Sequence, residues 1–509
     1  MTRMTTKRFA AGFALVTCLA ACNLFRGLGT ERVSGFDEAR HGVTAFEMLS
    51  SREFILTTYR GHADYWNLKP PLGAWLVALS FRCFGCTPFA LRLPAAASAF
   101  GCVLMVMLVL RLRGMPLAGL IAGLILASNS RFVGWHAGRT GDYDAQLAFL
   151  ICIAMLSIEH ARHVTLKCVV LGLAMACSFL LKSFAAIYTI GLVGAGVIIL
   201  LARRTLRWHH LVVIALCAAV PVLAWAVLRY RHDGLEFFRT MVAYDLLKRS
   251  TVQIEGHVGG YDYYLVKIVV ELGWLTALCM VGFIARDRFR PLSIRSVGRY
   301  PFYLLWVAVP LLIASLVKSK SSWYINPAYP GLAVLLGIGF ASVLEEPLMP
   351  RLCRIVFGAC LVAALLFSEC RLWLKIFPSE PSKLQSLIVS LGARSTSNTV
   401  LYSSFWVPAP HPMEKSDKLY DWNQAAVFAA EAMARLRVAD CPTVSVFIAQ
   451  ASLDDLLIEN TNTVAISCPG VLDVVTSSRR MSCGGRSPAV NPNRDRICRH
   501  AVTNRPLNR

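Results

Sequence analysis

The stretch GFDEARHGVTAFEMLS, residues 35–50, follows shortly after an apolar run that ends at Phe25. Apolar side chains recur along it at near-helical spacing (Ala39, Val43, Phe46 and Leu49), which predicts an amphipathic helix lying on a membrane surface. Its first turn holds two adjacent carboxylates, Asp37 and Glu38. Carboxylates in a first turn also favour the helix dipole, so the stretch by itself leaves helix capping and chemistry both open.

The whole chain indicates an all-α polytopic membrane protein. It has 509 residues, of which 56% are apolar and only 16% charged, and its mean hydropathy is +0.54. A soluble protein of this length would have about a quarter of its residues charged. Apolar runs long enough for membrane helices recur to about residue 368. The net charge of +22 is therefore assigned to loops and lipid headgroups, and a nucleic-acid partner is excluded.

Residues 71–86 differ from the other apolar runs because they are short and contain an arginine. At 1.5 Å per residue they reach about 24 Å, less than the ~30 Å hydrocarbon core. If they form an interfacial helix and the N-terminus is cytoplasmic, Lys and Arg are roughly twice as dense in the cytoplasmic loops as outside, as the positive-inside rule requires. We therefore predict about eleven transmembrane helices plus interfacial helices.

The predicted domains follow from this topology. Residues 1–370 form the transmembrane domain, with 26–70 as a first periplasmic loop and 71–86 as the interfacial helix. Residues 371–480 read as a small periplasmic α/β domain, with strands at 400–406 and 443–449 and a helix at 425–437. Residues 481–509 are expected to be disordered.

Cysteines and the N-terminus leave alternatives open. The tail cysteines Cys441, Cys468, Cys483 and Cys498 allow three pairings, among which the sequence does not choose. LAAC, residues 19–22, looks like a lipoprotein cleavage box, but a first membrane span is the favoured reading, since a membrane domain follows.

Charged side chains gather on the predicted outer face. Lys69 stands at the start of a helix, where a cation is unfavourable unless it holds an anion. RTGDYDAQ, residues 139–146, brings Asp142 and Asp144, which an exposed helix cap would explain equally well. Lys182 lies in a short turn between two apolar runs, a position that favours a functional role.

Two later segments add to this set. EGHVGGYDYY, residues 255–264, contains Glu255, His257 and Asp262. KSKSSWYINPAYPG, residues 318–331, contains Lys320 and Tyr324, which snorkelling and an aromatic belt would also explain. Lys267 and Glu271 lie four residues apart in the next span and could pair. Taken together, cations and carboxylates at a membrane surface suit an anionic, lipid-linked substrate, with a cation on a phosphate leaving group and a carboxylate deprotonating a hydroxyl.

The ordered segments resemble a known family. GFDEARHGVTAFEML, then WNLKPPLGAWLVALSFRCFG (residues 66–85), then ALRLPAA (residues 90–96) resemble the lipid-phosphate-sugar-dependent glycosyltransferases, which include bacterial aminoarabinose transferases and protein O-mannosyltransferases. RTGDYDAQL, EGHVGGYDYYL and KSKSSWYINPAYPGLAV resemble later elements of that family. The resemblance is strongest over residues 35–100 and ends near residue 370.

This resemblance implies a membrane glycosyltransferase fold of type C, a polyprenyl-phosphate sugar donor and a periplasmic site in a bacterial inner membrane. Carried over by position, Asp37 is the catalytic base and Glu38 supports it. Lys69 would hold the donor phosphate, and Asp142 would assist at the acceptor or at a metal. The donor or acceptor would contact the remaining positions of the set (Arg92, Asp144, Lys182, His257, Lys320 and Tyr324). The acceptor is a lipid such as lipid A, a glycan or a protein, and membrane lipids surround the chain.

One position departs from the family. Many relatives have an acidic residue or histidine just before Lys-Pro-Pro, whereas this chain has Leu68. No cofactor is assigned, and a divalent metal stays open. Two other functions also stay open: a transporter or flippase for a polyprenyl-linked lipid, supported by Lys267 and Glu271 in a span, and an inactive relative acting as a partner subunit.

Overall fold

The structure is a computed structural model. It describes these parts of the chain: residues 5–35, 37–160, 163–253, 258–288, 300–376, 385–386, 389, 400–403, 424–435, 437–440, 456–460, 463–468 and 471–476. The predicted strand at 443–449, Glu255, His257 and the tail 481–509 lie outside these residues.

Helices make up most of the described chain up to residue 376. In chain order the α-helices are Thr6–Phe25, Asp37–Ser51, Leu72–Phe84, Pro88–Leu112, Pro116–Ala127, Ser130–Val133, Asp144–His160, Val164–Lys182, Ile187–Ala202, Trp208–Asp233, Glu236–Met241, Arg249–Thr251, Tyr263–Asp287, Pro301–Leu316, Tyr329–Leu344 and Arg351–Ile376. Short 3₁₀ turns cover Ser183–Ala186 and Ser322–Ala328, and a π-helical stretch covers Val242–Lys248.

Seven helical segments of the described chain are long and apolar enough to cross a membrane. They are Thr6–Phe25, Pro88–Leu112, Val164–Ala202, Trp208–Asp233, Tyr263–Asp287, Ser322–Leu344 and Arg351–Ile376. Val164–Ala202 has 39 residues and is interrupted at Ser183, where φ is +43°. The polytopic, mostly helical architecture is therefore confirmed, while the number of eleven spans stays a prediction.

The spans differ in how much of their surface the protein covers. Within the most apolar 18-residue window, 67% of Ser322–Leu344 is buried, against 11% of Trp208–Asp233. Large apolar side chains on the latter helix, such as Leu216 and Leu223, are exposed. Ser322–Leu344 is thus central, and Trp208–Asp233 presents an apolar surface of the kind that lipid covers.

The first loop (residues 26–70) contains the helix that the sequence predicted. Its helix runs from Asp37 to Ser51 and buries Ala39 and Val43, two of the predicted apolar positions. A small hairpin of β1 (Thr58–Tyr59) and β2 (His62–Ala63) follows. The loop then leads through Pro71 into the short helix Leu72–Phe84, within the range predicted for an interfacial helix.

The C-terminal part of the described chain contains a five-stranded sheet in the order β4–β3–β5–β6–β7. The strands are β3 Val400–Ser403, β4 Arg437–Asp440, β5 Leu456–Asn460, β6 Thr463–Cys468 and β7 Val471–Thr476. β3 and β4 are parallel and the other pairs antiparallel. The predicted helix at 425–437 is instead a helix at Gln424–Phe428, a π-helical stretch at Ala429–Met433 and then β4, because the chain turns at Arg435, where φ is +59°. The helix Arg351–Ile376 continues past the domain boundary predicted at residue 370.

The C-terminal segment contacts the first loop directly. Phe428 is buried in one apolar cluster with Val43 and Phe81, and its ring centroid lies 6.2 Å from that of Phe81. The helix that carries Asp37 is therefore packed between the short helix Leu72–Phe84 and the C-terminal segment.

Candidate active site

Asp37 lies at the start of its helix and keeps 29% of its side chain exposed. Its Oδ1 accepts a hydrogen bond from Lys69 Nζ at 2.9 Å. Burial by itself raises the pKa of Asp37, but the positive charge of Lys69 outweighs burial and holds that pKa well below its usual value. Asp37 is therefore an ionised carboxylate that solvent or a substrate can reach.

Lys69 is held by two acceptors of the first loop. Besides Asp37, His41 Nε2 accepts from Lys69 Nζ at 3.1 Å. The ammonium also lies 5.7 Å from the centroid of the Tyr143 ring. These two hydrogen bonds use two of the three hydrogens of the ammonium, and the third remains for an anion. In this structure the anion beside the helix-start lysine is Asp37, and the lysine stands where a phosphate could replace or join that carboxylate.

His41 is a member of the site that the sequence analysis missed. Its Nδ1–H donates to the carbonyl of Gly141 at 3.0 Å, which leaves Nε2 as the acceptor for Lys69. The imidazole is buried and stacks on Tyr143, with centroids 3.8 Å apart and planes at 11°. Burial, followed by the charge of Lys69, lowers the pKa of His41 to about 3, so the ring is neutral at physiological pH.

Tyr143 reaches His41 because position 73 is a glycine. A Cβ on Gly73 would stand 2.3 Å from Tyr143 Cζ, closer than side chains approach one another. Gly73 belongs to the short helix that follows Lys69. The short helix, Lys69 and the stacked pair of His41 and Tyr143 therefore pack together only when position 73 has no side chain.

Glu38 and Arg92 form a buried ion pair, each side chain being 1% exposed. Glu38 Oε1 accepts from Arg92 Nε at 2.6 Å and from the Gly141 backbone N–H at 3.0 Å. Arg92 also donates to the carbonyls of Leu28 and Arg32. Both predicted residues thus lie beside the site, where they join the first loop to the second loop (residues 131–144), and they position Asp37 without being exposed themselves.

Asp142 lies in the second loop, opposite Asp37. Its Oδ1 is 3.3 Å from His136 Nδ1, and its Oδ2 accepts from the Thr140 hydroxyl at 2.7 Å. Burial raises the pKa of Asp142, but His136 outweighs it, so the carboxyl titrates below its usual range. Burial lowers the pKa of His136, but the Asp142 carboxylate raises it by more, so this pKa lies above its usual value. His136 also stacks on Trp323, with ring centroids 3.7 Å apart.

The two loops bring a set of ligand atoms together. Asp37, His136 and Asp142 each offer one, and these atoms all lie within 4.8 Å of one another. Two carboxylates with one imidazole suit Mn²⁺ or Zn²⁺, and Asp142 Oδ1, buried beside His136 Nδ1, has no other donor in the described part of the chain. The residues present therefore fit a divalent cation. Neither His136 nor Trp323 had been singled out as a site residue.

Leu68 does not contribute to this set. It is 2% exposed and packs in an apolar cluster with Trp225 and Phe237. The position before Lys69 is thus part of the apolar core.

The other predicted residues lie at different distances from the centre. Asp144, two residues after Asp142, is paired with Lys182 at 2.6 Å. Lys320 donates to the carbonyls of Ala314 and Ser315, which end the helix Pro301–Leu316, so its ammonium caps that helix in this structure. The Tyr324 hydroxyl accepts from Arg249 Nη1 at 2.9 Å.

Comparison with known proteins adds to this picture. Residues 68–225 match the family model of dolichyl-phosphate-mannose-protein mannosyltransferases. The undecaprenyl phosphate-alpha-4-amino-4-deoxy-L-arabinose arabinosyl transferase of Aeromonas salmonicida is 27% identical over 61% of this chain and 56% of its own length. The protein of that name from Pseudomonas aeruginosa is 26% identical over 70% of this chain and 65% of its own length. The aligned part thus spans little more than half the length of the first of these relatives.

Solved structures share the fold. The crystal structure of ArnT from Cupriavidus metallidurans bound to undecaprenyl phosphate has a TM-score of 0.56 at 19% identity, covering 83% of this chain and 75% of that chain. The apo oligosaccharyltransferase of Archaeoglobus fulgidus has a TM-score of 0.51 at 12% identity, covering 87% of this chain and 66% of that one. The predicted resemblance to polyprenyl-phosphate-sugar-dependent membrane glycosyltransferases is confirmed.

Proposed function

We propose that this protein is an integral inner-membrane glycosyltransferase that moves a sugar from a polyprenyl-phosphate donor to an acceptor on the periplasmic side. The observation that carries the proposal is the contact of Lys69 with Asp37 at 2.9 Å, an ammonium and an ionised, partly exposed carboxylate at the edge of the helical domain. The names of the relatives, which include transferases for undecaprenyl phosphate-linked aminoarabinose, support the donor class.

In the proposed reaction Asp37 is the general base. An acceptor hydroxyl transfers its proton to the Asp37 carboxylate while its oxygen forms a bond to the anomeric carbon of the donor sugar. The bond from that carbon to the phosphate oxygen breaks, and the electron pair leaves with the polyprenyl phosphate. Lys69 donates to the developing charge on the phosphate.

Lys69 links the two halves of this reaction. While it binds Asp37 it keeps the pKa of the carboxyl low, which makes the carboxylate a weak base. As the ammonium turns toward the leaving phosphate, its hold on Asp37 weakens and the carboxylate becomes a stronger base. Asp37 therefore becomes a stronger base as the leaving group departs, because Lys69 pairs with either the carboxylate or the phosphate.

The second loop would support the same chemistry. A divalent cation, where bound, would be held by Asp37, His136 and Asp142, and would supply positive charge to phosphate oxygens. Glu38 and Arg92 keep the loops in register, and Lys182 with Asp144 extends the charged wall. The proposal also includes contacts of Lys320, Tyr324 and His257 with the donor or the acceptor. The acceptor is a lipid such as lipid A, a glycan or a protein.

The experiment is a transfer assay with purified protein in lipid nanodiscs. A panel of radiolabelled polyprenyl-phosphate sugars is supplied with a periplasmic lipid extract as acceptor, and the matching nucleotide sugars serve as the control. We expect product only from polyprenyl-phosphate donors. Product from nucleotide sugars would refute the donor class. Movement of the lipid-linked sugar across proteoliposomes without sugar transfer would instead favour a flippase, and donor binding with neither outcome would favour an inactive partner subunit.

A further inference from the structure

A cavity adjoins the candidate active site. Its volume is about 310 Å³, which is within the range of sites for small ligands. It lies between the first loop, the second loop and the end of the helix Arg351–Ile376, and its charged lining residues are Glu31, Arg131, Arg139 and Lys375. Three cations against one carboxylate give the lining an excess of positive charge.

Arg139 is a structural part of this wall. Its guanidinium is paired with Glu31 and also donates to the carbonyls of Asn23 and Arg26, both at 2.9 Å. Because the ion pair neutralises both charges and the backbone takes the other hydrogens, Arg139 and Glu31 shape the cavity without supplying net charge. The excess positive charge therefore comes from Arg131 and Lys375.

Lys375 and Arg131 have incomplete partners. Lys375 Nζ donates to the Ser130 hydroxyl at 2.5 Å and is 3.9 Å from Glu271, which it shares with Arg371. Half of its side chain, 49%, is exposed. Among the described residues, the side chain of Arg131 has one hydrogen bond, to the Ser322 hydroxyl at 3.4 Å. Of these two cations, Lys375 lies near the Glu271 carboxylate, which Arg371 also contacts. Two cations that line one cavity with so little negative charge beside them are arranged to receive an anion.

Thr140 connects the lining of the cavity with the catalytic centre. Thr140 lines the cavity, and its hydroxyl donates to Asp142 at 2.7 Å. Trp135, also in the lining, is 56% exposed, and its ring contacts that of His136 edge to face, with centroids 5.4 Å apart. A molecule that occupies the cavity would thus contact residues next to both second-loop members of the site.

We infer that this cavity binds an anionic group of the acceptor, a phosphate or a carboxylate, through Arg131 and Lys375, while the accepting hydroxyl reaches Asp37. The exposed indole of Trp135 offers a stacking surface for a sugar ring of the same molecule. The identity of the bound molecule as the acceptor rests on the proposed function, but the anion site itself does not. It narrows the acceptor from any lipid, glycan or protein to one that carries negative charge beside its reacting group.

The test is equilibrium binding without donor, in phosphatidylcholine nanodiscs at constant ionic strength. The probes are a synthetic disaccharide glycolipid with one phosphate and its dephosphorylated twin. We expect the phosphorylated probe to bind the wild type at least about tenfold tighter than its twin, and Arg131→Gln or Lys375→Gln to remove most of that difference. Arg131→Lys, which keeps the charge, should retain a large part of it.

Arg351→Gln is the matched control, because Arg351 is an exposed cation at the opposite end of the helix that carries Lys375. Equal affinity for the two probes, or an equal loss in Arg351→Gln, would overturn the inference. Competition by phosphatidylglycerol that depends on Arg131 would identify a site for bilayer headgroups and would also overturn it. Because no sugar is transferred in this assay, its outcome is independent of whether the proposed transferase activity is found.

Discussion

The first and second loops each stack a buried histidine face to face on an aromatic ring, yet they shift the pKa values of the two imidazoles in opposite directions. His41 lies 3.8 Å from the Tyr143 ring and His136 lies 3.7 Å from the Trp323 ring. His41 is next to an ammonium, and its pKa falls to about 3. His136 is next to the Asp142 carboxylate, and its pKa rises.

Burial and stacking are nearly the same at the two positions, so the neighbouring charge decides the difference. A neutral His41 can only accept from Lys69, and it thereby orients the ammonium toward Asp37. A protonated His136 would keep Asp142 ionised, whereas a neutral one would leave a nitrogen for a metal. The first loop is arranged to hold an anion beside a lysine, and the second is arranged to hold a cation beside carboxylates.

Among the residues that support Asp37, the largest effect is expected from removing the cation of the first loop. Lys69→Met should lower turnover about a hundredfold, because a charge-assisted hydrogen bond to the leaving phosphate is lost, while Lys69→Arg should keep part of the rate. Initial rates of sugar transfer measure this. Lys267→Met is the control, since Lys267 is a cation of a neighbouring span whose described contact is the Tyr263 ring, at 5.0 Å. Equal loss in both variants would contradict the role of Lys69.

The metal preference of the second loop gives the next effect. We expect wild-type protein to bind Mn²⁺, detected by electron paramagnetic resonance, and Asp142→Asn to weaken that binding at least about tenfold. Lys69→Met should strengthen it, because the ammonium competes for Asp37. If Asp142→Asn binds Mn²⁺ like the wild type, the three-residue ligand set is wrong.

A smaller change tests the stacking in the first loop. Gly73→Ala should lower turnover about tenfold, since its Cβ would displace Tyr143 from His41 and loosen the position of Lys69. Alanine otherwise favours helices, so a loss of activity would point to the clash itself. Gly194→Ala is the control, because a Cβ at Gly194 meets nothing within 4 Å. Unchanged kinetics in Gly73→Ala would show that the stack is dispensable.

The smallest effect is the pH dependence of stability. Folded His41 stays neutral, whereas in the unfolded chain it gains a proton below pH 6.5, so acid favours unfolding. Between pH 7.5 and 5.5 this costs about 1 kcal/mol. The thermal midpoint of the wild type should therefore fall more over this range than that of His41→Asn.

His136 should behave in the opposite way, measured with EDTA present. Its folded-state pKa is raised, so its contribution is complete below pH 6.5 and is lost as the pH rises through that raised pKa. The wild type should exceed His136→Asn most at pH 6 and least at pH 9. The same sign of pH dependence for both histidines would break the comparison between the loops.

Much of this architecture is visible in the sequence. The apolar runs predict the helices, and the spacing of Ala39, Val43 and Phe46 predicts the helix that carries Asp37. These two predictions succeed because the side chains that are buried against lipid or a neighbouring helix recur with the period of the helix. The position of Lys69 at a helix start suggested a bound anion, but not that Asp37 would be that anion in this structure.

The residues that the sequence analysis missed are defined by contacts between distant segments. His41 takes its role from Gly141, and His136 from Trp323, which is far away in the chain. A histidine beside each acidic motif was the available signal, but a lone histidine is more often structural. Glu38 and Arg92 were predicted from position alone, and their burial as a pair shows only when the loops are assembled.

The most direct test of the account is the rate of sugar transfer by Asp37→Asn, measured together with the equilibrium binding of the polyprenyl-phosphate donor. Asparagine keeps the shape of the side chain but removes its charge and its ability to accept the proton. We predict a loss of at least about a hundredfold in turnover with donor binding retained, while Asp262→Asn, at an exposed carboxylate, stays active. Full turnover in Asp37→Asn would contradict the central claim that this carboxylate is the base.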